Sequence, residues 1–185
     1  MGWTFTSKGR ESVREFFEKQ WNRETPELSQ KILACYATWT TAYMAFEIKT
    51  PEKREVVGVV CQLRHVPRAK DGYNFGYKDM DETVGPCEFR CPATILALLT
   101  PTTHEYALDW RKRCQERIDK RAKAPSVKAG DWVKFASPIT FRGGETLDTL
   151  QWVKGSTFKR YYGLYRISNW RENEYQNIGA VAPAA

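Results

Sequence analysis

The chain has 185 residues, with 29 Lys+Arg against 22 Asp+Glu and a net charge of +7. At 42% hydrophobic and 28% charged residues it can bury a core, which excludes an intrinsically disordered chain. No apolar run approaches the ~18 residues that cross a bilayer, and the charged, aromatic start does not read as an export signal, so no membrane partner is expected.

The first predicted element is a helix opening at Ser12. Glu15 follows at the spacing of a capping box, and Val13, Phe16, Phe17 and Trp21 recur on one apolar face. Residues 22–26 end it. Thr25-Pro26 reads as an N-cap with proline at the first helical position, which predicts a short second helix leading into a strand near Ile32. Residues 37–48 are rich in Thr, Tyr and Phe, and residues 56–66 are rich in valine. With turn chemistry at 50–54 between them, they predict an antiparallel meander of two or three strands, covered on one face by the first helix.

Residues 69–86 break this pattern. They mix glycine with three aromatics, Tyr73, Phe75 and Tyr77, and three clustered acids, Asp79, Asp81 and Glu82, with neither strand nor helix period. Connections of this length are functional or disordered, and the aromatics argue against disorder. These six residues are therefore the expected partner-binding loop.

Pro92 starts a short apolar helix over 93–99, which Pro101 stops. Thr102 with Glu105 forms another capping-box pair, and a basic helix is predicted over 103–123. Its apolar stripe is Ala107, Trp110, Cys114 and Ile118. Residues 122–127 read as a linker. Beyond it Gly130-Asp131-Trp132-Val133-Lys134-Phe135 alternates, and residues 139–141, 150–154, 158–162 and 164–167 give further short strands, the pattern of a small barrel.

The Gly-Asp-x-Val-x-Phe opening resembles the first strand of SH3-like barrels such as KOW and Tudor modules. The predicted organisation is α+β: residues 1–124 form a helix-covered antiparallel sheet with the loop and the basic helix, 128–178 a small SH3-like β-barrel, and 179–185 a tail. The chain as a whole resembles an uncharacterised family of bacterial and phage proteins. The resemblance rests on Met1-Gly2-Trp3-Thr4-Phe5, on the run from Asn74-Phe75-Gly76 to Asp81-Glu82-Thr83, on Cys91-Pro92, and on Tyr165-Arg166-Ile167-Ser168-Asn169-Trp170-Arg171. It implies no activity; a source in phage or mobile DNA is consistent with it.

Charge is uneven. Residues 1–100 carry 14 basic and 13 acidic side chains, whereas residues 101–185 carry 15 and 9. Such asymmetry points to a polyanion. On the helix the candidate nucleic-acid contacts are Arg111, Arg113, Arg117, Lys120 and Arg121. In the barrel they are Lys154, Lys159, Arg160, Arg166 and Arg171, with Tyr161 and Trp170 as stacking faces. Tyr162 and Tyr165 join the expected exposed set, and Trp132 or Trp152 is assigned to the core.

Enzymatic constellations are fewer. Cys91 precedes Pro92 at a helix start, where a thiolate is stabilised; His65 and His104 are the two available bases, and Asp79, Asp81 or Glu82 can orient one. The same acids offer oxygen ligands for Mg²⁺, and Glu47-Ile48-Lys49 is similar to half of a nuclease site. Cys61, His65, Cys87 and Cys91 make a nominal zinc set. Four residues of strand span about 13 Å, however, too far for two bonds of about 2.0–2.3 Å to one ion. Five cysteines, an odd number, point to reduced thiols and a cytoplasmic protein. No catalytic residue, metal or cofactor is assigned. The expected function is non-catalytic binding of nucleic acid or a nucleoprotein, as in a phage or mobile-element accessory protein. The alternatives are a cysteine- or metal-dependent enzyme, and a protein inhibitor of a host defence complex.

Overall fold

Strand alternation organises both halves of the chain in the computed structural model, which describes residues 2–66 and 72–180. The chain divides into two units, Met1–Ile118 and Asp119–Ala185. The architecture is mixed α and β, mostly strand, built from two antiparallel sheets.

The first unit holds six strands: β1 (Thr4–Thr6), β2 (Arg23–Glu24), β3 (Ser29–Ala37), β4 (Thr41–Lys49), β5 (Arg54–His65) and β6 (Phe75–Asp81). Their order across the sheet is β1-β6-β5-β4-β3-β2. Successive side chains point to opposite faces, so each central strand feeds two cores. On one face Phe16 and Phe17 of helix α1 (Val13–Trp21) meet Ile32, Met44, Cys61, Leu63, Phe75 and Tyr77. On the other, Tyr43, Ala45, Val56 and Val60 meet Cys91, Ile95 of helix α2 (Ala93–Leu96), and Trp110 and Cys114 of helix α3 (Glu105–Lys123). Two glycines mark close approaches of aromatic rings to the sheet. A Cβ on Gly58 would stand 2.9 Å from Trp110 Cζ3, and one on Gly76 would stand 2.9 Å from Phe5 Cε1.

The capping box at Ser12 forms: its hydroxyl accepts from the Glu15 amide at 3.2 Å, and the Glu15 carboxylate accepts from the Ser12 amide at 2.7 Å. The helix predicted from Thr25 does not. Thr25 and Leu28 exchange backbone hydrogen bonds in a tight turn, and the chain returns directly into β3. Threonine followed by proline suits a turn as well as a helix start, and pairing along β4 decides between them. The strand expected over 37–48 begins at Thr41, because the Thr38 amide donates to the Thr41 carbonyl at 2.8 Å and closes a turn there. Thr102 caps through the His104 amide (3.1 Å), and α3 itself starts at Glu105.

The larger correction concerns residues 69–86. Residues 69–71 lie outside the described residues, but 75–81 are strand β6, paired with β5 and β1, and Glu82–Val84 is a 3-10 turn. Phe75, Tyr77, Asp79 and Asp81 do alternate. The period is masked because the same face changes from aromatic to acidic, and because Gly76 and Met80 interrupt the polar positions. β1, which completes that edge, was not anticipated either.

The second unit holds β7 (Trp132–Thr140), β8 (Thr146–Lys154), β9 (Thr157–Arg160), β10 (Gly163–Arg166) and β11 (Tyr175–Gly179), in the order β10-β9-β8-β7-β11. Val133, Phe135, Leu150, Phe158, Trp170 and Tyr175 are its core. The Gly-Asp signature has a local explanation. Gly130 takes a positive φ of 96°, and the Asp131 carboxylate accepts from the Lys128 amide and the Asn177 side chain, each at 2.8 Å. The bond from the Lys128 amide and that from Asn177 hold its carboxyl below the usual range and tie the start of β7 to β11. Gly179, assigned to the tail, closes β11; residues 181–185 lie outside the described residues.

Candidate nucleic-acid interface

The enzymatic constellations do not assemble. Cys91 is 1% exposed, and its thiol points to the Pro92 carbonyl at 3.9 Å. Burial pushes that thiol far up, with Cys114 and Glu82 adding to the effect, which is the opposite of an activated nucleophile. His65 stacks on Trp39 at 4.0 Å and touches Phe75, on the α1 face of the sheet, while Cys91 packs on the other face. His104 lies beside Tyr106. The same separation divides Cys61 from Cys91, and Cys87 is exposed. Among the described residues no three metal-ligating side chains converge.

Nor do the acids form a cation site. Glu82 is 1% exposed and its carboxylate is committed: Oε2 accepts from Arg111 Nε at 2.7 Å, and Oε1 accepts from Arg111 at 2.6 Å and from the Gly58 amide at 3.2 Å. Glu47 accepts from Arg54. Glu47 packs on the face that holds Tyr43 and Ala45, whereas Asp79 and Asp81 alternate with Phe75 and Tyr77 on the other. The expected binding loop also loses its aromatics: Phe75 and Tyr77 are buried, and Tyr73 alone of the three is exposed.

The cations of α3 divide in two. Arg111 is structural, bound to Glu82 and also donating to the Thr100 carbonyl at 2.7 Å. Arg113 sits 3.9 Å over the Phe89 ring and pairs with Asp109 at 3.7 Å. Arg117, half-buried, lies near Cys114, whose thiol burial pushes up to about 11 against the smaller opposing effect of the Arg117 charge. Lys120 and Arg121 are exposed in the last turn, where positive charge also suits the helix dipole.

The second unit brings more of the predicted contacts together. In the register of β8, β9 and β10, Lys154 pairs with Thr157 and Thr157 with Arg166; Lys159 pairs with Leu164. Residues paired across strands share a face. Lys154, Lys159, Leu164 and Arg166 therefore stand on the side opposite Phe158, which is fully buried. β9 and β10 hold no acid, and none of the three cations has an acidic partner among the described residues. At the hairpin tip Tyr161 and Tyr162 are 79% and 105% exposed. Tyr161 holds a φ of +51°, a conformation bulky residues rarely take.

Other predicted contacts face elsewhere. Arg160 donates to the Thr149 carbonyl at 3.1 Å and lies 5.5 Å from the Tyr161 ring. Arg171 covers Trp170 and Trp152 at 4.5 and 5.7 Å. Trp170 is not a stacking face: it is 3% exposed, and its indole N–H donates to the Gly155 carbonyl at 2.9 Å. A five-stranded sheet this small needs its largest ring inside. Tyr165 is half-buried, its hydroxyl donating to Glu145 at 2.6 Å. Leu164, 75% exposed, was missed; only its pairing with Lys159 shows that an apolar residue faces out there.

The fold and this surface define an α+β protein with a basic, tyrosine-tipped hairpin. Residues 101–171 match the family model of a domain of unknown function (DUF6927), which is consistent with an uncharacterised family. That match runs from just before α3 to the 3-10 turn Trp170–Glu172. No curated protein and no solved structure matches the chain. Among the described residues no helix is long and apolar enough to cross a membrane.

Proposed function

We propose that the protein binds nucleic acid, free or within a nucleoprotein, without catalysing a reaction on it, and that the β9–β10 hairpin makes the contact. The observation that carries this reading is the shared face of Lys154, Lys159 and Arg166 beside two exposed tyrosines. Cations there can neutralise successive phosphates while the tyrosine rings stack on bases. The cations sit on strands, so they are spaced before any ligand arrives. The reading takes the second unit as an SH3-like module. A four-strand meander, a 3-10 turn and a fifth strand returning beside the first support that view. An accessory role in phage or mobile DNA is the setting the family resemblance favours.

Fluorescence anisotropy with single-stranded and duplex oligonucleotides over a salt series tests it. Three phosphate contacts on a single strand give a slope of about −2 in log K against log salt. Changing Lys154, Lys159 and Arg166 to Gln together should abolish the slope. Absence of binding to any DNA or RNA at low salt sinks the reading.

A further inference from the structure

Helix α1 is too short for the sheet face on which it lies. Its nine residues rise about 13 Å, whereas the twelve residues of β5 extend about 40 Å. Past Trp21, the last residue of α1, the face opens into a pocket of about 350 Å³. Phe46 and Ile48 of β4 and Val57 and Val59 of β5 floor it, and the Trp21 indole walls it. Asp79 and Asp81 of β6 line one side, and Arg23 of β2 lines the far side.

The pocket has the size of a small-molecule site, with an apolar floor and charged side chains at its sides that can orient a ligand. Its two acidic residues differ in commitment. Asp81 Oδ1 accepts from the Thr83 amide at 2.8 Å and from the Thr83 hydroxyl, so it serves the turn that ends β6. Asp79 makes no hydrogen bond or ion pair with any described residue. Its charge is felt by its neighbours all the same, adding to the effect of burial in raising the Tyr77 hydroxyl and the Cys61 thiol. An uncommitted carboxylate on the side of a pocket walled by an indole favours a cation, which both the charge and the ring face attract.

We infer that this pocket binds a small organic cation: a primary ammonium that meets Asp79, carried on an aromatic or branched aliphatic body that lies on Val59 under Trp21. Arg23 repels a second positive group at the far side, so the site takes monoamines over diamines. This site is independent of the hairpin surface, and either can fail without the other.

Calorimetry on the full chain tests it with phenethylamine, 2-phenylethanol and 3-phenylpropionate, which share a ring and differ in charge. Phenethylamine should bind saturably, about tenfold or more tighter than the alcohol, with the acid weakest. Asp79→Asn should remove that preference and leave the alcohol unchanged. Asp79 is exposed, so this variant keeps its fold, and an unaltered melting curve establishes that. In NMR the indole N–H signal shifted by the amine should be the one missing in Trp21→Phe. Equal affinity for amine and alcohol, no saturable binding of the amine, or full amine preference in Asp79→Asn overturns the inference.

Discussion

The two units use the same material differently. Met1–Ile118 carries 18 basic and 16 acidic side chains, a net of +2, and Asp119–Ala185 carries 11 and 6, a net of +5. In the first unit each face of the sheet carries a core, and two of its cations hold buried acids, Arg111 on Glu82 and Arg54 on Glu47. In the second, one face of β8–β10 is core and the other presents Lys154, Lys159 and Arg166 to solvent without an acidic partner among the described residues. Net charge therefore misleads as a guide to binding. What matters is whether a cation already has a partner, and burial decides that.

The largest test of this difference is Arg111→Ala. It leaves the Glu82 carboxylate buried and unpaired, and should cost about 3–5 kcal/mol in urea denaturation. Arg166→Ala should stay within about 0.5 kcal/mol while weakening nucleic-acid binding. Similar small effects from both would mean that the first unit's cation is not structural, and the contrast would fall.

A smaller effect separates two glycines. Ala at Gly58 pushes its methyl group into the Trp110 ring and should cost about 1–3 kcal/mol. At Gly143, in the second unit, a Cβ would meet nothing within 4 Å and φ is not positive. Gly143→Ala should be neutral or stabilise by about 0.4–1 kcal/mol, because it restricts the unfolded chain. Paired melting curves check both.

The elements that were legible in the sequence are those with a local cause. α1 could be read because the capping box at Ser12 and the spacing of Phe16, Phe17 and Trp21 agree. α3 could be read from its apolar stripe, which turns Ala107, Trp110 and Cys114 inward. β6 was hidden because its meaning is non-local. Phe75 and Tyr77 are core only because α1 lies above them, and Gly76 is required only because Phe5 lies over it. The same limit applies to the sites. Arg111 and Arg166 are alike in sequence, and only Glu82, 29 residues away in the chain, separates structure from surface. The pocket beside Trp21 draws on β2 to β6, and no short motif could announce it. Trp170 was misjudged because its neighbouring arginine suggested a surface, whereas core filling took the ring.

The finest test lies at the hairpin tip, where stability and function should part. Tyr161 sits at a φ of +51°, where a side chain costs roughly 1 kcal/mol or more and glycine costs little. Its ring is 79% exposed, so the fold gains little from it in return. Tyr161→Gly should therefore melt at the same temperature or slightly higher. It should also lose about 1 kcal/mol or more of affinity for single strands, because one stacking face is gone. Tyr162→Ala supplies the control: its φ is not positive, so it should weaken binding without the gain in stability. If Tyr161→Gly lowers the melting temperature instead, the ring belongs to the fold of the second unit, as Trp110 does to the first, and the hairpin tip is no longer a surface kept for a ligand.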